Sequence, residues 1–256
     1  MSKISQTAGL WQQISDSILL LVPKRKRRVK NFSYIKSLFV GKKGIEIGGP
    51  SRLFTRNIPI YDIVEGLDGT NFSNKTVWEG EIELGQSFQF GNRSGQQFIL
   101  DATNLKDIKD DEYEFVISSH CLEHIANPLK ALQEWLRVIK PGGIILIVVP
   151  NKAYCFDHRR SYTSFQHILS DYESHTSEKD LTHLDEILKL HDLSMDLGSA
   201  NLDFFKDRSI NNFENRCLHH HVYNLETLKK MLHFFGVETL YTDITGLNMT
   251  IIGKTE

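Results

Sequence analysis

Four short apolar runs punctuate residues 41–150, and each closes on Gly, Asp, Ser or Pro: GIEIGGPS at 44–51, LDAT at 100–103, VISSHCLEHI at 116–125 and KPGGIILIVVP at 140–150. Continuous apolar runs that end this way read as buried parallel strands finishing at a ligand crevice. Between the third and fourth runs, Leu129, Leu132, Leu136 and Ile139 recur on one helical stripe beside Trp135. They predict a helix over 128–140, stopped by Pro141-Gly142-Gly143 and followed by a strand over 144–149. Further on, Asn224 is placed to cap a helix carrying Leu225, Leu228, Met231, Leu232 and Phe235, which Gly236 stops. Residues 237–244 and 248–253 are two more strand candidates, and 60–65 reads as the second strand of the series. Near the start, Leu10, Ile14, Ile18 and Leu21 predict a helix over 10–22, ended by Pro23 and followed by Lys24, Arg25, Lys26, Arg27, Arg28 and Lys30.

The first run carries candidate chemistry. Ile45 and Ile47 end a strand, Gly48, Gly49 and Pro50 make the turn, and Ser51 is placed to cap a short helix. Glycines let backbone approach a ligand closely. The dinucleotide fingerprint is absent, because Arg52 and Leu53 stand where a third glycine belongs. Glu46, just before the turn, would meet a cation better than a pyrophosphate, which favours a cofactor built on an amino acid. Asp101 ends the third strand, where it can also cap the following turn.

Taken together, these residues resemble the class I S-adenosylmethionine-dependent methyltransferases of the small-molecule type, which carry an H-x-L-E-H segment after the fourth strand. His120, Leu122, Glu123 and His124 match that segment, and Glu46, Gly48 and Gly49 match the first half of the family's E-x-G-x-G motif. The second glycine comes one place early, with Pro50 in its usual position. The resemblance implies an α/β, Rossmann-like fold: a seven-stranded, mostly parallel sheet with a C-terminal antiparallel hairpin and a helical insertion after strand five. It implies S-adenosyl-L-methionine as cofactor, held by Glu46, Gly48, Gly49, Pro50, Ser119 and His120. Asp101 would accept from the adenine amino group beside the backbone of Ala102. An acidic residue after the second strand would hold the ribose, with Asp68 at the expected spacing and Glu65 as the competing candidate. Trp78 is either an aromatic wall of the pocket or part of a surface loop.

Length and charge bound the remaining choices. The chain has 256 residues, 40% of them apolar, and a net charge of −2. That is enough for one large domain and argues against a general nucleic-acid binder. The expected division is a helical segment and basic linker at 1–40 and a methyltransferase domain at 41–256, with an acceptor-site insertion at 151–222. Cys121, Cys155 and Cys217 form no C-x-x-C pair, as expected of free thiols in a reducing cytoplasm. No apolar stretch approaches membrane-spanning length, although residues 10–30 suggest a weak peripheral contact with an anionic membrane surface.

The insertion is marked by composition. All six prolines lie at or before Pro150, whereas eight of the eleven histidines lie from His158 to His221. Three readings stay open: an acceptor pocket with histidine as base, a metal site, or polar helices with solvated histidines. The spacing shows no H-E-x-x-H and no cysteine partners, so no metal is expected. His158, close after the fifth strand, leads as the general base, with His124, His220 and His183 behind it. Arg159 and Arg160 would hold an acidic group of the acceptor, and His183 would line the same pocket. Where base-methylating enzymes carry Asn/Asp-Pro-Pro-aromatic, this chain has Ser118, Ser119, His120 and Cys121. The expected reaction is therefore O-methylation of a small molecule, a sugar or other polar or phosphorylated metabolite of surface-polysaccharide synthesis. A catalytically inactive cofactor-binding subunit and a nicotinamide-dependent oxidoreductase are the alternatives.

Overall fold

The computed structural model describes residues 29–196, 198, 199 and 201–256. The helix expected at 10–22, the basic residues 24–28 and nearly all of the suggested membrane contact lie outside them. In chain order the elements are α1 (Phe32–Phe39), β1 (Lys43–Ile47), α2 (Leu53–Arg56), β2 (Gly66–Asn71), β3 (Lys75–Thr76), β4 (Gly80–Glu81), β5 (Gly85–Phe90), β6 (Arg93–Ile99), β7 (Tyr113–Ser119), α3 (Pro128–Arg137), β8 (Ile139–Pro150), α4 (Phe165–Glu173), α5 (Leu184–Leu190), α6 (Leu202–Ile210), α7 (Asn212–Asn215), α8 (Leu225–Phe234), β9 (Glu238–Thr245) and β10 (Asn248–Lys254).

Among the described residues one sheet holds eight strands in the order β5-β6-β2-β1-β7-β8-β10-β9. β6, β2, β1, β7 and β8 are mutually parallel, and β10 and β9 close one side as an antiparallel hairpin. The chain winds outward from β1 on one side and from β7 on the other. Their C-terminal ends therefore leave a crevice where the two halves diverge, the place where open α/β sheets bind ligands. Both faces are covered. Ile45, Ile47, Val116 and Ile147 pack against Leu129, Leu132 and Trp135 of α3 and Met231 of α8. Phe115, Ile117 and Val148 pack on the opposite face against Ile35 and Phe39 of α1 and Phe54 of α2. The insertion has a small core of its own, Ile187, Phe205 and Leu218.

The sheet differs from the expected seven strands by one antiparallel edge strand, β5, which pairs with β6 across a two-residue Gly91-Asn92 turn. Such a turn between alternating residues is a hairpin signal, and Phe88 and Phe90 of β5 are buried. The second strand also moves. Residues 60–65 form a turn that buries Ile60, Tyr61 and Val64, and the strand itself is Gly66–Asn71. Its polar, glycine-rich sequence hides it. At Gly69 an added Cβ would fall 2.0 Å from the Phe88 ring, so the aromatic ring of β5 fills the space a side chain would have used. Likewise α3 ends at Arg137, and β8 begins at Ile139 and runs straight through Pro141-Gly142-Gly143. Among the described residues no helix is long and apolar enough to cross a membrane.

Trp135 is fully buried, and its indole N–H donates to the backbone oxygen of Ala102 at 2.9 Å. It ties the central helix to the loop after β6. Trp135→Phe, which leaves that carbonyl unpaired, is expected to cost about 1–3 kcal/mol in urea unfolding, and Trp135→Ala about 3–5 kcal/mol. Equal midpoints for Trp135→Phe and the parent would show that the hydrogen bond contributes nothing.

Candidate active site

At the crevice a narrow cleft of about 60 Å³ is lined from the sheet by Ile47, Gly48, Thr70, Asn71, Leu100, Asp101, Ala102 and His120, and from outside by Phe72, Trp78, His124, Glu178 and Arg216. Gly48 has φ +79, and its N–H donates to Thr70 O at 2.9 Å. A Cβ on Gly48 would fall 2.9 Å from Cys121 Sγ, so the turn leaves no space there for a side chain. Asn71 Nδ2 holds Gly49 O at 2.7 Å, and Ser51 Oγ accepts from Leu53 N at 3.3 Å to start α2. Pro50 follows Gly49 through a cis peptide.

Glu46 lies beneath this turn instead of in the cleft wall. It is fully buried, its Oε2 accepts from the Tyr61 hydroxyl, and its Oε1 has no hydrogen-bond partner among the described residues. Burial pushes its pKa up to about 8, against the pull of Tyr61 and the Ser51 backbone. Asp101 stands at the rim as expected. Its Oδ1 accepts from Thr103 N and Oγ1 at 2.9 and 2.7 Å, capping the turn, while Oδ2 faces the cleft. Ala102 lies beside it. His120 follows the buried Ser119 at the end of β7 with φ +50, its Nε2–H on Asn248 Oδ1 at 2.8 Å. An orphaned acceptor under a glycine turn, with a second carboxylate at the far rim, matches a cofactor that carries an ammonium group at one end and an aromatic amine at the other.

Asp68 is placed elsewhere. It falls in the middle of β2, where Oδ1 accepts from Gln96 N at 2.7 Å and Oδ2 from the Tyr113 hydroxyl at 2.8 Å. Glu65 precedes β2 and pairs with Lys43 at 3.3 Å. Neither reaches the strand's C-terminal end, which is Asn71. The carboxylate spacing misled because the second strand starts later than its sequence suggests.

The insertion closes the cleft through a buried ion network. Asp157 accepts from His219 Nδ1 and pairs with Arg160 at 3.4 Å. Arg160 donates to His219 O at 2.6 Å and His220 O at 3.2 Å. Burial alone would keep His219 neutral, but Asp157 outweighs it and holds His219 protonated. Arg160 is thus spent on the fold and offers little to an acceptor. His158 is no nearer the cleft: its Nε2 and the Arg159 guanidinium share Asp192 Oδ2, at 2.9 and 2.8 Å on the surface. His220 is buried and takes a hydrogen bond from Asn212 at 3.1 Å, and burial pushes its pKa down to about 4. His183 faces His167 and Glu186.

His124 alone among the expected bases lines the cleft. Its Nδ1–H donates to Leu218 O at 3.1 Å, which leaves the lone pair on Nε2. Burial and the adjacent His219 charge hold its pKa well below the ordinary value, so it is neutral at pH 7. Trp78 packs on it with ring centroids 5.5 Å apart, confirming the wall reading for that residue. Glu123, next to it, has both carboxylate oxygens buried without a hydrogen-bond partner among the described residues. The Cys121 thiol is pushed up to about 12 by burial and is no nucleophile.

Glu178 and Arg216 were not foreseen. Arg216 pairs with Asp101 at 3.2 Å and with Glu178 at 3.0 Å, bridging the insertion to the cleft rim. Nothing in the spacing of these residues signals their meeting. Among the described residues three groups of donors also gather closely enough for a metal, which the sequence spacing did not lead one to expect. Two of these share His219, which Asp157 holds protonated; the third is His167, His183 and His221.

A family model described as a methyltransferase domain matches residues 24–242. Curated relatives include a demethylmenaquinone methyltransferase of Clavibacter sepedonicus, 39% identical over 69 residues, covering 27% of this chain and 28% of that protein. A ubiquinone biosynthesis O-methyltransferase of Haemophilus ducreyi is 27% identical over 160 residues, covering 59% of this chain and 64% of that protein. The matched part of the chain thus spans less than two thirds of either relative. A solved S-adenosylmethionine-dependent methyltransferase from Mesorhizobium loti superposes with a TM-score of 0.50 at 10% identity, over 87% of this chain and 95% of that one, a likeness of fold alone. With the family match covering most of its length, the chain belongs to the methyltransferase-domain family, as a class I member whose cofactor is S-adenosyl-L-methionine.

Proposed function

We propose that the protein methylates an oxygen of a small polar acceptor, with His124 as the general base. One observation carries this reading: a half-buried, neutral imidazole with a free Nε2 lone pair stands in the wall of the same cleft as Gly48, Asp101 and Ala102. S-adenosylmethionine, when bound, supplies an electrophilic methyl group on a sulfonium. The backbone at Gly48 and Gly49, the Asp101 carboxylate and the Ala102 backbone are the groups that would hold it. Glu46 beneath the turn would accept a hydrogen bond from its ammonium group through the unpartnered Oε1.

An attacking hydroxyl sheds its proton as the new bond forms, and a positioned imidazole accepts it. The Leu218 carbonyl fixes the His124 tautomer, and Trp78 fixes its ring plane. His219 sits 4.6 Å away, ring to ring, and its positive charge keeps His124 in the neutral, proton-accepting form while lowering its basicity. Glu178 and Arg216 cover the cleft and keep water out, and alignment in a dry site supplies much of the rate in such transfers. Sugar hydroxyls, and the hydroxyls of quinone precursors that the name of the relative from Haemophilus ducreyi, a ubiquinone biosynthesis O-methyltransferase, brings in, both present the O–H that this base needs. An acceptor screen starts with these two classes.

Gly48→Val is expected to abolish S-adenosylmethionine and S-adenosylhomocysteine binding in calorimetry, whereas near-normal affinity would refute the assignment of the turn. His124→Ala should lower turnover about 100-fold or more while leaving cofactor affinity nearly unchanged. His158→Ala should keep most of the activity, because its imidazole is engaged by Asp192 at the surface. The pH profile gives a separate check. A depressed pKa keeps His124 in its proton-accepting form as pH falls from 7.5 to 6, so kcat should stay level there. An acid limb centred near 6.5, the ordinary histidine value, would move the base elsewhere.

A further inference from the structure

Four side chains of the insertion converge away from the cofactor cleft. His167 and Asp171 lie one turn apart on α4 and so share a face. His183 directly precedes α5, and His221 lies in the extended segment before α8. One nitrogen from each of His167, His183 and His221 lies within 4.8 Å of the others. His167 Nε2 is 3.0 Å from His183 Nε2 and 3.4 Å from Asp171 Oδ2. Two donors that share a tetrahedral zinc ion at 2.0–2.1 Å stand about 3.4 Å apart. These two separations lie close to that value.

The surroundings follow the pattern of a metal site as well. His183 Nδ1 faces the Glu186 carboxylate at 3.7 Å, and His221 Nε2–H donates to Ala126 O at 3.2 Å, which leaves Nδ1 as that ring's ligand atom. Carboxylates and backbone carbonyls behind ligating imidazoles are the usual outer partners. Asp171 Oδ2 and His221 Nδ1 are buried without a hydrogen-bond partner among the described residues. Such orphans are rare in folded proteins, and an unplaced ion is one of their ordinary explanations.

We propose that His167, Asp171, His183 and His221 bind a zinc ion that staples the insertion to the catalytic domain. Three imidazoles and one carboxylate suit zinc and its first-row neighbours, whereas calcium and magnesium prefer oxygen donors alone. The three imidazoles lie within 4.8 Å of one another, and Asp171, 3.4 Å from His167, is the side chain placed to swing in as a fourth donor and close a structural site with no position for a reactant. The ion closes the loop from Asp171 to His183. That loop carries Glu178, which accepts from Ala126 N at 3.0 Å and pairs with Arg216 at the cleft. The ion therefore fixes the outer wall of the cleft without touching the cofactor.

The test uses the full chain, stripped with a chelator and titrated with Zn²⁺ against a competing chromophoric chelator, with melting followed in parallel. The parent should take up one tightly held zinc per chain and melt higher with it. Loss of outer partners alone weakens zinc sites 10–100-fold, so loss of a ligand in His183→Ala should weaken this one by about 100-fold or more. The Zn²⁺-dependent rise in melting temperature should disappear with it. His167→Ala, at the more exposed edge of the cluster, repeats the measurement should His183→Ala fold poorly. A parent that holds no zinc, or zinc bound equally by both variants, overturns the proposal; the latter result places the ion at other donors. Cofactor binding and turnover enter neither readout, so failure here is separable from failure of the methyltransferase assignment.

Discussion

The arrangement of the active site depends on one buried carboxylate. Asp157 sits just past the end of β8 and compensates both His219 and Arg160, each almost fully removed from water. Breaking a buried pair leaves an uncompensated charge and typically costs about 3–5 kcal/mol, a large share of the 5–15 kcal/mol that holds a whole domain together. The network also has a geometric product. Arg160 binds the carbonyls of His219 and His220, so the returning chain is pinned across the end of the fifth parallel strand. From that pinned segment Leu218 O reaches His124 and Arg216 reaches Asp101.

The same network sets the charge of its neighbours. One imidazole next to a carboxylate stays protonated, and the next imidazole, surrounded by that charge and by apolar walls, stays neutral. Two histidines whose rings touch thus carry different protonation states because their outer partners differ: a carboxylate for His219, a backbone carbonyl for His124. Environments that push titratable groups apart are how proteins assign acid and base roles near pH 7.

Much of the central fold was legible because β1, β7 and β8 are buried on both faces and therefore carry apolar runs, and because α3 and α8 carry caps and stripes that need no tertiary context. The positions of the glycine turn and His124 could be read for the same reason, since they follow β1 and β7 closely, and that of Asp101 because it closes the run after β6. Legibility ended where packing replaced local preference. β2 is polar and bears Gly69 because the Phe88 ring occupies its surface, so a neighbouring turn that buries Ile60, Tyr61 and Val64 looked more like a strand than the strand did. Asp68 was misplaced with it. His158 and Arg160 appeared equivalent in sequence, yet one is on the surface and the other is locked inside the ion network. The pair at His167 and Asp171 was overlooked because a search for paired histidines passes over a histidine followed one turn later by a carboxylate.

Arg216 occupies the edge of Asp101 that an adenine amino group would otherwise approach, and the cleft beneath it holds about 60 Å³, well under the roughly 300 Å³ at which small-molecule pockets begin. In the role proposed for Asp101, the insertion and the cofactor compete for one carboxylate. Seating the cofactor requires that ion pair to part, and releasing the spent cofactor lets it re-form. The contact acts as a latch whose strength subtracts from cofactor affinity and adds to the rate of product release. Because the latch joins partly exposed charges, salt in the medium weakens it, which couples ionic strength to the turnover cycle at a residue that never meets the methyl group.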